Sequence, residues 1–397
     1  MECNTVVVTT PTWREFLRYW AKFGVLSFGG PTAQIGMLHR DLVEQRRWLD
    51  EDEFSQALAF VSLLPGPEAH QLATYIGRKH FGVKGGIAAG GLFLLPSLFI
   101  ISGITWLYLE YALTANIDVL LEGLRTGVLA LLLYTVYRLA KKIQWNLMNI
   151  VFAITFMVLG VVFQLSILAL VAIALGIGFL TIRTTEKTHK VQLDLKASLK
   201  PLLVGGLLWA ISFGLIYQSE ELRHIASLFT QAALITFGGA YSVVPFVSQA
   251  AVEQYGWLTQ SQMLDGIALG ETTPGPLIMI NAFVGFIAYK GFLGALMATW
   301  FTFLPSFILV FAGAPLMQSL SRNQRIQATL SKLTIAVITF IAGFALTIIR
   351  ELEPSAALFQ VVLAILGVIL LVKTRVHPIV LFSLTIAAYS LVTFANS

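Results

Sequence analysis

Nine uninterrupted apolar stretches, at 86–109, 119–137, 147–163, 165–182, 202–217, 292–318, 333–349, 356–372 and 378–394, dominate this chain. A hydrocarbon core about 30 Å thick is crossed by roughly 20 helical residues, so stretches of this length read as membrane helices. The composition agrees: 57% hydrophobic and 12% charged residues in a chain of 397 lie outside the range of a water-soluble domain. The expected fold class is therefore an all-α polytopic membrane protein. A formal charge of +5 from 26 Lys+Arg and 21 Asp+Glu is too dilute for a nucleic-acid surface. One cysteine, Cys3, excludes an intramolecular disulfide and a cysteine-based metal site, and the six histidines have no ligand spacing. No metal or other cofactor is expected. Residues 1–12 lack the basic start of a secretory leader, so the N-terminus is expected to be retained.

Four further apolar segments, 16–38, 54–80, 225–248 and 263–289, are broken at their middles. The breaks are Phe28-Gly29-Gly30-Pro31, Pro65-Gly66-Pro67, Phe237-Gly238-Gly239 and Pro274-Gly275-Pro276. Irregular backbone at membrane depth is tolerated only where protein or a wet cavity surrounds it, which makes these four segments the candidates for the working site. Cations fix sidedness, because cytoplasmic loops collect Lys and Arg. Arg14, Arg18 and Lys22, then Arg40, Arg46 and Arg47, then Arg78, Lys79 and Lys84 form three clusters separated by broken segments. Re-entrant hairpins put all three on the cytoplasmic side; ordinary crossings put the Arg46-Arg47 loop outside. Both readings stand at this point. Arg138, Lys141 and Lys142, and the loop 183–200, also read as cytoplasmic, as does the N-terminus.

Sliding the chain by 209 residues lays one broken pair on the other without a gap, with about 19 identities in 70 positions, concentrated in Gly, Pro and other turn-setting residues. Phe28-Gly29-Gly30 meets Phe237-Gly238-Gly239, Trp48-Leu49 meets Trp257-Leu258, Pro65-Gly66-Pro67 meets Pro274-Gly275-Pro276, and Leu95-Pro96-Ser97 meets Leu304-Pro305-Ser306. Six Lys/Arg flank the first Pro-Gly-Pro where the aligned second stretch has only Lys290, so the copies are expected to face opposite sides. The organisation expected is a first repeat, 1–200, a linking span, 201–221, and a second, inverted repeat, 222–397. Inverted repeats with broken helices are an architecture of secondary transporters.

A helix restarting after Pro-Gly-Pro offers unpaired N–H groups and a partial positive charge, which suit an anion. Gly29, Gly30 and Pro31 with Thr32, and Gly238 and Gly239 with Tyr241 and Ser242, offer a second pair of such ends with hydroxyl donors. Each break is equally readable as a simple kink. Glu68, His70 and Glu271 are ionisable groups beside the Pro-Gly-Pro breaks, candidates for a coupling proton or an anion donor, or else merely paired. Gln71 and Asn281 are polar groups readable as interhelical glue or ligand. Arg125 pairs with Glu122 or joins the site. An intramembrane hydrolase is excluded by the lack of a His-Glu-x-x-His pair, a nucleophile elbow or paired aspartates near Asp118 or Asp265.

These motifs, in this order and over nearly the whole chain, resemble the chromate ion transporter family in its long, two-domain form. The resemblance implies efflux of chromate from the bacterial cytoplasm and chromate resistance, with sulfate as a competing analogue, in a multi-pass protein of the bacterial plasma (inner) membrane. It assigns the signature to Gly29, Gly30, Pro31, Pro65, Gly66, Pro67, Glu68, Gln71 and Gly77, with Gly238, Gly239, Pro274, Gly275 and Pro276 in the second copy. The copies are unequal: Leu277 stands where the first has Glu68, and Met279 where it has His70. A sulfate or other oxyanion transporter is the alternative, and oligomeric state is open, a homodimer being one option.

Overall fold

The computed structural model describes residues 8–111, 118–163, 165–181, 195–237, 239–317, 324–374 and 376–396, and the regular structure among them is helical. Gly238 and most of the 183–200 loop lie outside the described residues. In the first half, α1 (Trp13–Leu26) breaks before α2 (Gly30–His39), which widens into a π-helical turn, Arg40–Gln45. Helix α3 (Glu51–Val61) breaks before α4 (Glu68–Tyr111), which is kinked at Phe81-Gly82. Helices α5 (Asp118–Ala140), α6 (Leu147–Val161) and α7 (Ile167–Thr181) complete this half, and α8 (Leu195–Leu215) connects to the second.

The second half repeats the series with α9 (Glu220–Ile235), a break, α10 (Val244–Ser248) and a second π-helical turn, Gln249–Gln254. Then come α11 (Gln260–Thr272), a break, α12 (Ile280–Ala288) and α13 (Phe292–Gly313). Helices α14 (Gln324–Glu351), α15 (Pro354–Thr374) and α16 (Pro378–Asn396) end it. The local chemistry repeats with the 209-residue register. Asp50 caps α3 in a capping box with Glu53, and Thr259 caps α11 in the same way with Gln262. The two π-helical turns fall at matched positions as well.

Each broken segment folds back on itself. Glu53 at the start of α3 is ion-paired with Lys79, late in the first stretch of α4, so the Pro65-Gly66-Pro67 turn is the tip of a hairpin. The α1–α2 hairpin is closed at its open end by Thr9, whose N–H donates to Arg47 O at 2.8 Å, and by Arg46 over the Tyr19 ring at 5.0 Å. In the second half His224 stacks on Tyr255 at 4.8 Å, joining the start of α9 to the end of the π-helical turn. Phe81 packs edge-on against Trp13 at the first open end, and from there α4 runs to Tyr108, whose Oη donates to Asp265 Oδ2 at 2.8 Å midway along α11.

Among the described residues, six helices are long and apolar enough to cross a membrane: Glu68–Tyr111, Val119–Ala140, Lys196–Leu215, Phe292–Leu316, Thr329–Glu351 and Ala356–Thr374. The stretches expected at 147–163 and 165–182 form helices of only 15 residues each, about 22 Å long at 1.5 Å per residue. They pack against α14 rather than standing alone, so neighbours supply what length does not. One apolar core, with Phe16, Trp20, Leu42, Phe60 and Phe93, holds the first pair of hairpins to α4. A larger one runs through α5, α9, α11, α12 and α14.

Candidate functional site

The tips of the four hairpins meet one another. Gly66 donates its backbone N–H to Thr236 O at 2.7 Å, and Gly275 donates its own to Ser27 O at 2.9 Å. Both pairs are related by the 209-residue register, so each Pro-Gly-Pro turn is bonded to the Phe-Gly-Gly break of the other half. The geometry demands glycine at both turns. Gly66 sits at φ +125° and Gly275 at φ +104°, and a Cβ on Gly275 would lie 2.5 Å from Ser97 Cβ. Ser306 is the counterpart near Gly66, 3.4 Å from where its Cβ would be. The two Leu-Pro-Ser motifs thus buttress the opposite half's turn.

Polar side chains complete the junction. Gln34 Nε2 donates to Gly275 O at 2.6 Å and to Ser27 O at 3.1 Å, while Gln71 Nε2 donates to Pro65 O at 2.7 Å. His70 Nδ1 lies 3.3 Å from Ser306 Oγ, and its ring meets Phe303 and Phe307 edge-on. Ser27 Oγ, Gln34 Oε1, His70 Nε2, Gln71 Oε1 and Ser97 Oγ are all buried without a protein partner. Orphaned polar atoms are rare in folded proteins, and five at one junction mark a place suited to a polar guest.

Charge gathers beside the junction. Arg138, near the end of α5, donates to Thr32 Oγ1 in the first turn of α2 and lies within electrostatic reach of Glu68, Glu271 and Tyr241. Tyr241 Oη donates to Glu271, and both are almost wholly buried. Glu68 is half-buried at the start of α4 and also faces Lys142. His377, between α15 and α16, flanks Gly29 so closely that a Cβ there would lie 2.6 Å from its Nε2. The α2 N-terminus, Gly30-Pro31-Thr32, is therefore set among Arg138, His377 and its own unpaired N–H groups, the electrostatics of an anion seat.

The sequence-selected residues fall into three groups. Gly29, Gly30, Pro31, Thr32, Glu68, Tyr241 and Glu271 surround Arg138 directly or through one partner. Pro65, Gly66, Pro67, His70, Gln71, Pro274, Gly275 and Pro276 form the cross-bonded tips, where the Gly66 and Gly275 amides are engaged by the opposite half and the proline that follows each has no N–H. Gly239 and Ser242 form the turn before α10, with Ser242 Oγ donating to Gly239 O at 2.8 Å, and Asn281 binds Thr302 on α13 at 3.0 Å. Arg125 belongs elsewhere: it pairs with Glu122 at 2.5 Å and with the fully buried Asp265 at 2.8 Å. Sequence reasoning missed Ser27, Gln34, Ser97, Arg138, Ser306 and His377. The repeat alignment did contain Ser97 and Ser306 as an invariant Leu-Pro-Ser pair, a signal that was available; Gln34 aligns with Val243 and gave none.

A family model described as chromate transporter matches residues 14–179 and 223–391. A chromate transport protein of Pseudomonas aeruginosa is 32% identical over 86% of this chain and 82% of its own length. One from Cupriavidus metallidurans is 29% identical over 91% and 90%, and a probable chromate transport protein of Synechococcus elongatus is 31% identical over 85% of each chain. No solved structure matches the chain. With the family match covering both halves and six helices fit to cross a bilayer, this multi-pass membrane protein belongs to the chromate transporter family.

Proposed function

We propose that this protein exports chromate from the bacterial cytoplasm and so confers resistance to it. In this reading the dianion sits at the α2 N-terminus beside the hairpin junction, held by the N–H groups of Gly30 and Thr32 and those following Pro67 and Pro276, with Arg138 as counter-charge. The observation that carries the reading is the convergence of four broken helices from two halves on one another, with Arg138 reaching Thr32 at their edge. The residues group as a first repeat, 1–200, and an inverted second, 222–397, joined by α8, and rocking of one against the other would break and remake the Gly66–Thr236 and Gly275–Ser27 bonds. The basic open end of the first hairpins, with Arg46, Arg47 and Lys79, faces the cytoplasm, and so does the N-terminus.

Direction follows from charge. Moving a dianion outward through an inside-negative potential releases roughly 4.6 kcal/mol per 100 mV, twice the single-charge figure. Export needs no other driving force, although the Tyr241–Glu271 pair supplies a carboxyl able to carry a proton with the anion. Backbone amides and hydroxyls discriminate weakly among tetrahedral dianions, which keeps sulfate as a competitor and sulfate transport as the second reading. Purified protein in liposomes, assayed for chromate and sulfate uptake under an imposed potential, separates the two. Uptake of chromate driven by a positive interior, inhibited by sulfate only in excess, is expected; uptake of sulfate alone would reject chromate as substrate.

A further inference from the structure

A groove of about 730 Å³ runs between α4, α8 and α13. Its walls are apolar, with Val83 and Ile87 from α4, Leu208 from α8 and Ile308 from α13, and one end carries Arg78, Lys196 and Lys200. We propose that this groove holds an anionic phospholipid, its acyl chain along the walls and its phosphate among the three cations. Helix α8 is exposed along most of its length, so the groove opens where lipid tails lie. No described carboxylate is ion-paired with Arg78, Lys196 or Lys200, whereas Lys79, next to Arg78, has Glu53.

The placement of the lysines is costly without an anion. Lys196 lies in the first turn of α8, where the positive end of the helix dipole repels cations, and Lys200 follows one turn on. A phosphate there meets both ammonium groups and the Arg78 guanidinium together, and basic pockets between membrane helices recognise lipid phosphates in this way. At the far end Trp300 Nε1 donates to Ser212 Oγ of α8 at 3.0 Å, tying α13 to α8 and bounding the groove. Its floor is firm, because Phe307 and Phe311 of α13 fill the space above Gly90 and Gly86 of α4. Phe307 also touches His70, so an acyl chain would pack on the helix turn that carries Ser306 to the junction.

Native mass spectrometry of the full-length protein tests this, with phosphatidylglycerol and phosphatidylcholine of identical acyl chains added in equal amounts. Retention of phosphatidylglycerol at least tenfold above phosphatidylcholine is expected. The variant Arg78→Gln/Lys196→Gln/Lys200→Gln should remove that preference, and the milder Lys196→Gln/Lys200→Gln should weaken it severalfold, each eluting as the wild type does in gel filtration. Ile87→Trp, which fills the groove, should lower retention of both lipids. Equal retention of the two lipids by the wild type, or an unchanged preference in the triple variant, overturns the proposal. So does a purified dimer in which Ile87→Cys cross-links to its own copy, since a second chain would then occupy the groove.

Discussion

Replacing Gly275 with alanine probes the junction where its geometry is tightest. The backbone there has φ +104°, and the new Cβ would lie 2.5 Å from Ser97 Cβ and 2.6 Å from Ser97 Oγ. Strain in that sparsely populated region costs about 1–3 kcal/mol, and overpacking against a helix-borne Cβ costs about 1–3 kcal/mol more. Gly66→Ala differs in kind. At φ +125° it carries the same strain, but its nearest neighbour, at 2.6 Å, is Gln71 Nε2, the far end of a side chain that can shift at the expense of its bond to Pro65 O. Gly275→Ala should therefore be the more damaging of the two, by about 1–3 kcal/mol, the overpacking share. Ser97→Gly in the Gly275→Ala background should recover that share and leave the strain. The assay is thermal unfolding of the purified variants in one detergent together with chromate uptake into proteoliposomes. A Gly66→Ala protein at least as damaged as Gly275→Ala, or no recovery with Ser97→Gly, would refute the reasoning.

Arg138→Gln should raise the chromate KM at least tenfold, because a charge-assisted contact of about 1.5–3 kcal/mol is lost, while expression and thermal midpoint stay near wild type; flux assays over a chromate series check this. Removing one partner of the Arg125–Asp265 pair leaves a buried charge uncompensated and should cost about 3–5 kcal/mol, seen as loss of folded protein for Arg125→Met. The double variant Arg125→Met/Asp265→Leu should regain most of it in the same assay. Single cysteines at Arg47 and Gly256, in a Cys3→Ser background, should react with an impermeant thiol reagent from opposite sides of the membrane, the first from the cytoplasm; labelling from one side would reject the inverted arrangement.

The membrane class and the broken helices were legible because bilayer thickness and backbone hydrogen bonding act on composition and on Gly/Pro position, both local in the chain. The 209-residue register gave more, since Gly66 and Gly275 turned out to occupy equivalent turns with equivalent cross-bonds. Sequence left hairpin and crossing undecided for 16–38; contacts such as Thr9 with Arg47 decide it, and they join residues far apart in the chain. Arg138 was read as a sidedness determinant, which its place after an apolar span supports. Its long side chain reaches back to Thr32, 106 residues away, and no local pattern encodes such a reach. Gln34 was invisible for a different reason: its two carbonyl acceptors, Ser27 O and Gly275 O, are backbone atoms and leave no mark on composition.

The anion is proposed to sit where the hairpin tips and Arg138 meet, and a structure of the protein with bound chromate tests this. The anion's oxygens should lie within hydrogen-bonding distance of the Arg138 guanidinium and of N–H groups at the start of α2 or α4. Chromate held instead in the cavity of about 400 Å³ beside Arg125, lined by Glu122 and Gln360 and remote from all four breaks, would contradict it.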